Sequence, residues 1–242
     1  MAVQALADGR VLAERIGGFP PRVVALHGWA RSGADFVSVL AGLDAAAIHL
    51  PGFGPTAAPD AVWGTHDYAD LVAEAIEPFA PVVVVGHSFG GRVAVRLAAK
   101  HPELVSGLVL TGAPLVRATA PSKPTLTYRI AKWANRVGVL SDAAMESRRR
   151  SAGSADYNAA QGIMRDIMVK TVNETYDDDL AAITCPTWLV WGENDTAAPT
   201  AAGKIASERI RGATWIVVQG EAHLLTPGLG SAVRAATEEA LR

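Results

Sequence analysis

Three residues in this chain have the types and the order needed to make a serine reactive: Ser88, Asp195 and His223. Ser88 is the centre of Gly86-His87-Ser88-Phe89-Gly90, a G-x-S-x-G sequence. It begins where the apolar run Val82–Val85 stops and a helical pattern, RVAVRLAAK, takes over. A tight turn from strand to helix forces its central residue into strained dihedrals, and a side chain two positions away on either side would collide with the turn. The strain projects the Ser88 hydroxyl above the sheet, and the amino end of the following helix favours negative charge there. The alternative is an ordinary turn serine, and the flanking strand and helix weigh against it.

A serine hydroxyl needs a base to take its proton and an acid to orient that base. In an open α/β architecture both belong at the carboxyl ends of later strands. WLVWGENDTAAP supplies Asp195, with Glu193 as the weaker substitute, and TWIVVQGEAHLL supplies His223. Five other histidines compete. His66 and His101 sit in helical or pre-helical contexts and read as surface residues. His49 follows a strand and reads as meeting solvent, and His87 occupies the variable x position of the motif. The order Ser88, Asp195, His223 favours the last of these as base. Acyl transfer also needs donors for an oxyanion. The N–H of Phe89, directly after the nucleophile, is one candidate. The N–H of Trp29, in the early loop His27-Gly28-Trp29, is the other, its indole left to line an acyl pocket. His27 and Arg92, the latter one helical turn past Ser88, are candidate substrate contacts. For Arg92 the plainer alternative is a solvated helix residue.

These residues need a frame. Val23–Leu26, Ala46–Leu50, Val82–Val85, Leu108–Leu110, Trp188–Trp191 and Trp215–Val218 are short runs, apolar nearly throughout, as expected of strands covered on both faces. Helical patterns lie between them: Ala34–Leu43, then a helix after Thr65 as its cap, with Leu71, Ala75 and Ile76 on the apolar face. Asp8-Gly9 reads as a hairpin turn. The alternation predicts an open, mostly parallel α/β sheet with helices on both faces. One region breaks the rhythm. Between Pro114 and Cys185 the pattern is helical and amphipathic, and it reads as an insertion that caps the sheet. That gives a core of residues 1–113 and 186–242 and a helical cap of residues 114–185. The basic run Arg148–Arg150 reads as a solvated face of that cap.

Composition narrows the function. Twenty-two Lys and Arg against 24 Asp and Glu, a formal charge of −2, give no general attraction to nucleic acid or an anionic membrane. No segment has the length and hydropathy of a membrane span, and the first residues do not form a secretory signal, so a cytoplasmic protein is expected. Cys185 is the single cysteine and reads as a buried, unreactive thiol. The histidines and Cys185 show no metal-binding spacing, and no phosphate-cradling glycine motif follows a strand. The expectation is a small-molecule ester substrate and no metal or organic cofactor.

Taken together, HGW at 27–29, PGFG at 51–54, GHSFGG at 86–91, GENDTAAP at 192–199 and GEAH at 220–223 resemble the α/β-hydrolase superfamily, in its order and over almost the whole chain. The resemblance implies a serine-nucleophile, esterase-like member whose cap is residues 114–185. Dehalogenases and epoxide hydrolases of this fold carry an aspartate nucleophile, so Ser88 counts against both. No acid follows the Leu108–Leu110 strand, so the acid belongs at Asp195. Relatives of this fold also hydrolyse carbon–carbon bonds or act as lyases on carboxylate-bearing substrates, and there Arg92 would hold the carboxylate. A binding protein without turnover is the third reading, disfavoured by an intact Ser-Asp-His set.

Overall fold

The computed structural model describes residues 2–116 and 160–242. Eight strands form one sheet in the order β1-β2-β4-β3-β5-β6-β7-β8. They are β1 (Ala2–Leu6), β2 (Val11–Ile16), β3 (Val23–Leu26), β4 (Ala45–His49), β5 (Val82–His87), β6 (Val105–Thr111), β7 (Thr187–Gly192) and β8 (Thr214–Val218). The first two pairings, β1 with β2 and β2 with β4, are antiparallel, and every other pairing is parallel. The six apolar runs of the sequence are therefore six strands of this sheet, five starting within a residue of expectation and β6 starting three residues before Leu108. The unbroken character of β3, β4, β5 and β7 has a direct cause: every residue in them is buried, so both faces are apolar except at strand ends, where His49, His87 and Thr187 stand. Ala7–Gly9 make the β1–β2 turn, as Asp8-Gly9 predicts.

Helices cover both faces. Helices α1 (Thr65–Ile76), α2 (Phe89–Lys100) and α5 (Thr200–Arg209) bury Leu71, Val93, Leu97 and Ala206 with Leu26, Val84 and Leu110 on one side. Helix α6 (Pro227–Ala240) buries Leu229 and Val233 on the other, beside Phe36, Leu40, Val83 and Val85. Two further helices, α3 (Gly162–Thr171) and α4 (Asp177–Ala182), belong to the expected insertion. Its residues 117–159, with Arg148–Arg150, lie outside the described residues.

Three expectations are corrected. Ala34–Leu43 is not one helix: a 3-10 turn spans Gly33–Phe36 and turns follow it. Gly33 packs directly under the Ala47 carbonyl, where a Cβ would collide, and Gly42 at φ +86° ends the segment. Burial of Phe36, Val39 and Leu40 on the sheet decides its path rather than helical periodicity. Thr65 is not the cap of α1; Gly64 occupies that position, and Thr65 is the first helical residue. His49 does not meet solvent: it is 3% exposed, its Nδ1 accepts the Gly33 N–H at 3.2 Å, and its Nε2 lies 3.3 Å from Glu14.

Candidate active site

β5 is central in the sheet, so its carboxyl end meets loops from both sides. The chain turns there from strand to helix with Ser88 at φ 52°, ψ −112°, a left-handed φ that costs an L-residue energy. The glycines around it are required by close packing. A Cβ on Gly86 would stand 2.6 Å from the Gly91 Cα, and one on Gly90 would run into the Leu26 carbonyl. The Ser88 N–H donates to the Thr111 carbonyl at 2.9 Å, which ties the turn to β6.

The Ser88 hydroxyl lies 3.1 Å from His223 Nε2, and His223 Nδ1 lies 2.8 Å from Asp195 Oδ2. A carboxylate only accepts, so Nδ1 carries the proton and Nε2 offers its lone pair to the serine hydroxyl. Asp195 is itself fixed: its Oδ1 accepts the N–H groups of Ala197 and Ala198 at 2.9 and 2.8 Å, and its side chain is 1% exposed. Glu193, the weaker candidate acid, is used elsewhere and accepts the Gly220 N–H at 3.0 Å. Ser88, Asp195 and His223 thus converge from β5, β7 and β8, although 135 positions separate the first from the last.

The N–H groups of Trp29 and Phe89 make no hydrogen bond among the described residues. Phe89 opens α2, whose first-turn N–H groups have no helical partner and carry the positive end of the helix dipole. Trp29 is half-buried, and Ala30 after it has φ +53°. The indole packs edge-on to Phe53 and Phe89, with ring centroids 4.9 and 5.2 Å away, and Tyr68 meets Phe89 at 5.1 Å. An aromatic wall therefore lies beside Ser88.

His27 differs from its sequence reading. It is fully buried; its Nδ1 lies 2.7 Å from the Gly28 carbonyl and its Nε2 accepts the Leu50 N–H at 3.0 Å. Both ring nitrogens are spent on the protein's own backbone, so the ring braces the loop after β3 and leaves no ring nitrogen for substrate. Burial lowers its pKa to about 4, so it is neutral at pH 7. Arg92 is not a solvated helix residue either. It is half-buried, its Nε donates to the Pro114 carbonyl at 3.2 Å, and its Nη1 donates to the Thr171 carbonyl at 3.3 Å, which joins α2 to the segment after β6 and to the end of α3. Burial pushes the Cys185 thiol up in pKa, away from the reactive thiolate.

Sequence reasoning passes over Gly112. It follows β6 at φ +56°, and a Cβ there would lie 3.0 Å from His223 Nδ1 and 3.2 Å from Asp195 Oδ2. Its only signal in the sequence is the glycine in TGAP. Among the described residues no group of three His, Cys, Asp or Glu is arranged to hold a metal, and no helix is long and apolar enough to cross a membrane.

Comparison with known proteins agrees with this architecture. An esterase of Mycobacterium tuberculosis is 38% identical over 113 residues, 45% of this chain, and the match spans only 38% of that protein's length. The pimeloyl-[acyl-carrier protein] methyl ester esterase of Neisseria meningitidis is 28% identical over 226 residues, 84% of this chain and 85% of that one. Among solved structures, an esterase from Exiguobacterium antarcticum superposes with a TM-score of 0.73 at 20% identity, covering 100% of this chain and 99% of that one. The model of the alpha/beta hydrolase family matches residues 23–232, which include every residue of the site. With this fold and this match, the chain belongs to the alpha/beta hydrolase family.

Proposed function

We propose that this protein hydrolyses small carboxylic esters, with Ser88 as nucleophile, His223 as base and Asp195 as the orienting acid. The observation that carries the reading is the continuous hydrogen-bond path from Ser88 Oγ through the His223 ring to Asp195, at 3.1 and 2.8 Å. His223 Nε2 takes the hydroxyl proton as Oγ attacks the ester carbonyl, and the N–H groups of Phe89 and Trp29 hold the oxyanion. The tetrahedral intermediate collapses, the alcohol leaves with that proton, and an acyl group stays on Oγ. Water, deprotonated by the same nitrogen, then releases the acid and restores Ser88. The relatives named as esterases support the class of reaction.

In this reading the partner is a small-molecule ester, with no metal, organic cofactor, nucleic acid or membrane, and the setting is cytoplasmic. Residues 114–185 form the cap over the core of residues 1–113 and 186–242, and the aromatic wall of Trp29, Phe53 and Phe89 receives the acyl chain. Carbon–carbon cleavage or elimination on a carboxylate-bearing substrate would ask Arg92 for the carboxylate. The two carbonyls that Arg92 already serves favour the ester.

The test is a panel of p-nitrophenyl esters of increasing acyl length together with vinylogous diketones. Ester turnover, covalent labelling of Ser88 by an organophosphonate, and a loss on the order of 10⁶-fold in kcat for Ser88→Ala are expected. Wild-type turnover by Ser88→Ala would remove the mechanism. Cleavage of the diketones alone would replace the ester reading with the carbon–carbon one.

A further inference from the structure

Building on the triad reading, we propose that His87, in the variable position of the motif, is a positioning residue: its imidazole holds the main chain of His223 in line with Ser88 and spaces the Trp29 loop from it.

The sheet order creates the need. β6 and β7 lie between β5 and β8, so the loop bearing His223 must reach back across two strands to meet Ser88. Asp195, at the end of β7, fixes the His223 ring from one side. The main chain needs its own hold, because this loop is exposed: Leu224, the next residue, is 55% accessible. His87 provides it. Its Nε2 lies 2.9 Å from the His223 carbonyl oxygen. A carbonyl only accepts, so Nε2 carries the hydrogen and donates it.

The same ring has a second neighbour. With Nε2 protonated, Nδ1 of the neutral ring is a bare acceptor; it is buried and has no partner among the described residues. It faces the backbone of Gly28, where an added Cβ would stand 3.0 Å from Nδ1 and 3.3 Å from the Ser88 Cβ. One imidazole, 2% exposed, therefore touches the loops after β3 and β8 while its own backbone leads into Ser88. The oxyanion donor and the base both take their distance from the nucleophile through His87. Burial, and then the neighbouring His223 ring, hold the ring neutral, with a pKa of about 4, against the opposing pull of its hydrogen bond to the His223 carbonyl and of Asp35 and Asp195. The ring is thus a fixed donor at neutral pH, not a second base. Both nitrogens of the His223 ring are engaged by Ser88 and Asp195, and His87 Nδ1 has no partner among the described residues, so no hydrogen bond carries a proton between the two rings.

A merely bulky residue would fill the space without donating. His87→Leu keeps bulk and removes the donor, whereas His87→Gln restores an N–H at about the same reach. The proposal expects His87→Leu to lower kcat on a p-nitrophenyl ester, and the rate of Ser88 phosphonylation, by roughly 10- to 100-fold with KM within about twofold. His87→Gln should recover most of the loss. Equal kcat in wild type and His87→Leu overturns the proposal, and so does a His87→Gln variant as impaired as His87→Leu. An assay independent of turnover separates this from the triad reading. In Ser88→Ala protein labelled with ¹³C,¹⁵N-histidine, His87 should show a slowly exchanging Nε2–H coupled to the His223 carbonyl carbon. Its absence overturns the proposal whether or not Ser88 is the nucleophile, and its presence alongside unlabelled wild-type Ser88 leaves the strut standing and removes the triad.

Discussion

Glu174 caps a helix that starts 109 residues before it: its carboxylate accepts the Thr65 N–H at 3.1 and 3.3 Å and also receives the Thr65 hydroxyl. The Tyr176 hydroxyl donates to the same carboxylate at 3.2 Å. Arg96 of α2 closes the cluster. Its Nε donates to Thr65 Oγ1 at 3.2 Å, its Nη2 donates to the Thr175 carbonyl at 2.8 Å, it pairs with Asp179, and it lies 4.5 Å over the Tyr176 ring. The segment from Glu174 to Asp179 is thereby fastened to the helix that follows Ser88. Glu174→Ala removes a charged acceptor from buried donors and should lower the unfolding free energy by about 1–3 kcal/mol, with ester kcat nearly unchanged. Urea denaturation compared with steady-state kinetics reads both.

Asp195→Asn separates orientation from folding. The amide oxygen can stay on the Ala197 and Ala198 N–H groups, so the loop keeps its shape. The amide nitrogen then faces His223 Nδ1 and selects the tautomer whose Nε2 carries the proton, which cannot take one from Ser88. We expect kcat to fall by about 10⁴-fold with KM and Tm close to wild type. A loss of stability as large as the loss of rate would show a structural role instead.

Gly112→Ala should act at a distance of one methyl group. The new Cβ would press on both His223 and Asp195, and the left-handed φ adds roughly 1 kcal/mol of strain. The expected result is a kcat at least tenfold lower with KM little changed, and a modest drop in Tm. Unaltered kcat would mean that the His223–Asp195 pair yields without losing its alignment.

Acid should weaken the fold before it reaches the carboxylates. Burial lowers the pKa of His27 and His87 to about 4, and of His49 in the same direction. The unfolded chain takes up these protons near pH 6.5, while the folded rings stay neutral. Stability from His27 and His87 is therefore complete above about pH 6.5, and is lost as the pH falls from there through about 4. The gap is worth roughly 3 kcal/mol per ring. Urea unfolding at pH 7 and pH 4.5 measures it. A free energy flat across that interval would mean that neither ring is held neutral.

Much of the site was legible because its signals are local or ordinal. The valines before Gly86 and the glycines around Ser88 mark the turn within one short stretch, and Asp195 and His223 follow in the order that an open sheet dictates. What was not legible depends on partners far away in sequence. Thr65 has the type of a helix cap, yet Glu174 does that work, because a charge from the segment after α3 meets the start of α1. Ala34–Leu43 has helical periodicity, yet the Ala47 carbonyl over Gly33 sets its path. His27, His87 and His49 read as a substrate contact, a variable position and a surface residue. Their ring nitrogens lie against the Leu50 N–H, the His223 carbonyl and the Glu14 carboxylate, and no local pattern announces those neighbours.

The sheet order also has a consequence for synthesis. β5 is central and its neighbours β3 and β6 lie in the first half of the chain, so the turn that presents Ser88 has its partners before translation is half complete. Asp195 and His223 lie in the loops after the last two strands, in roughly the final fifth of the sequence. A growing chain on the ribosome can thus shape the nucleophile's turn long before it owns a base. In the triad reading, the enzyme stays chemically silent until β8 has joined the sheet, and a protein truncated before Thr214 keeps the serine but has no means of firing it.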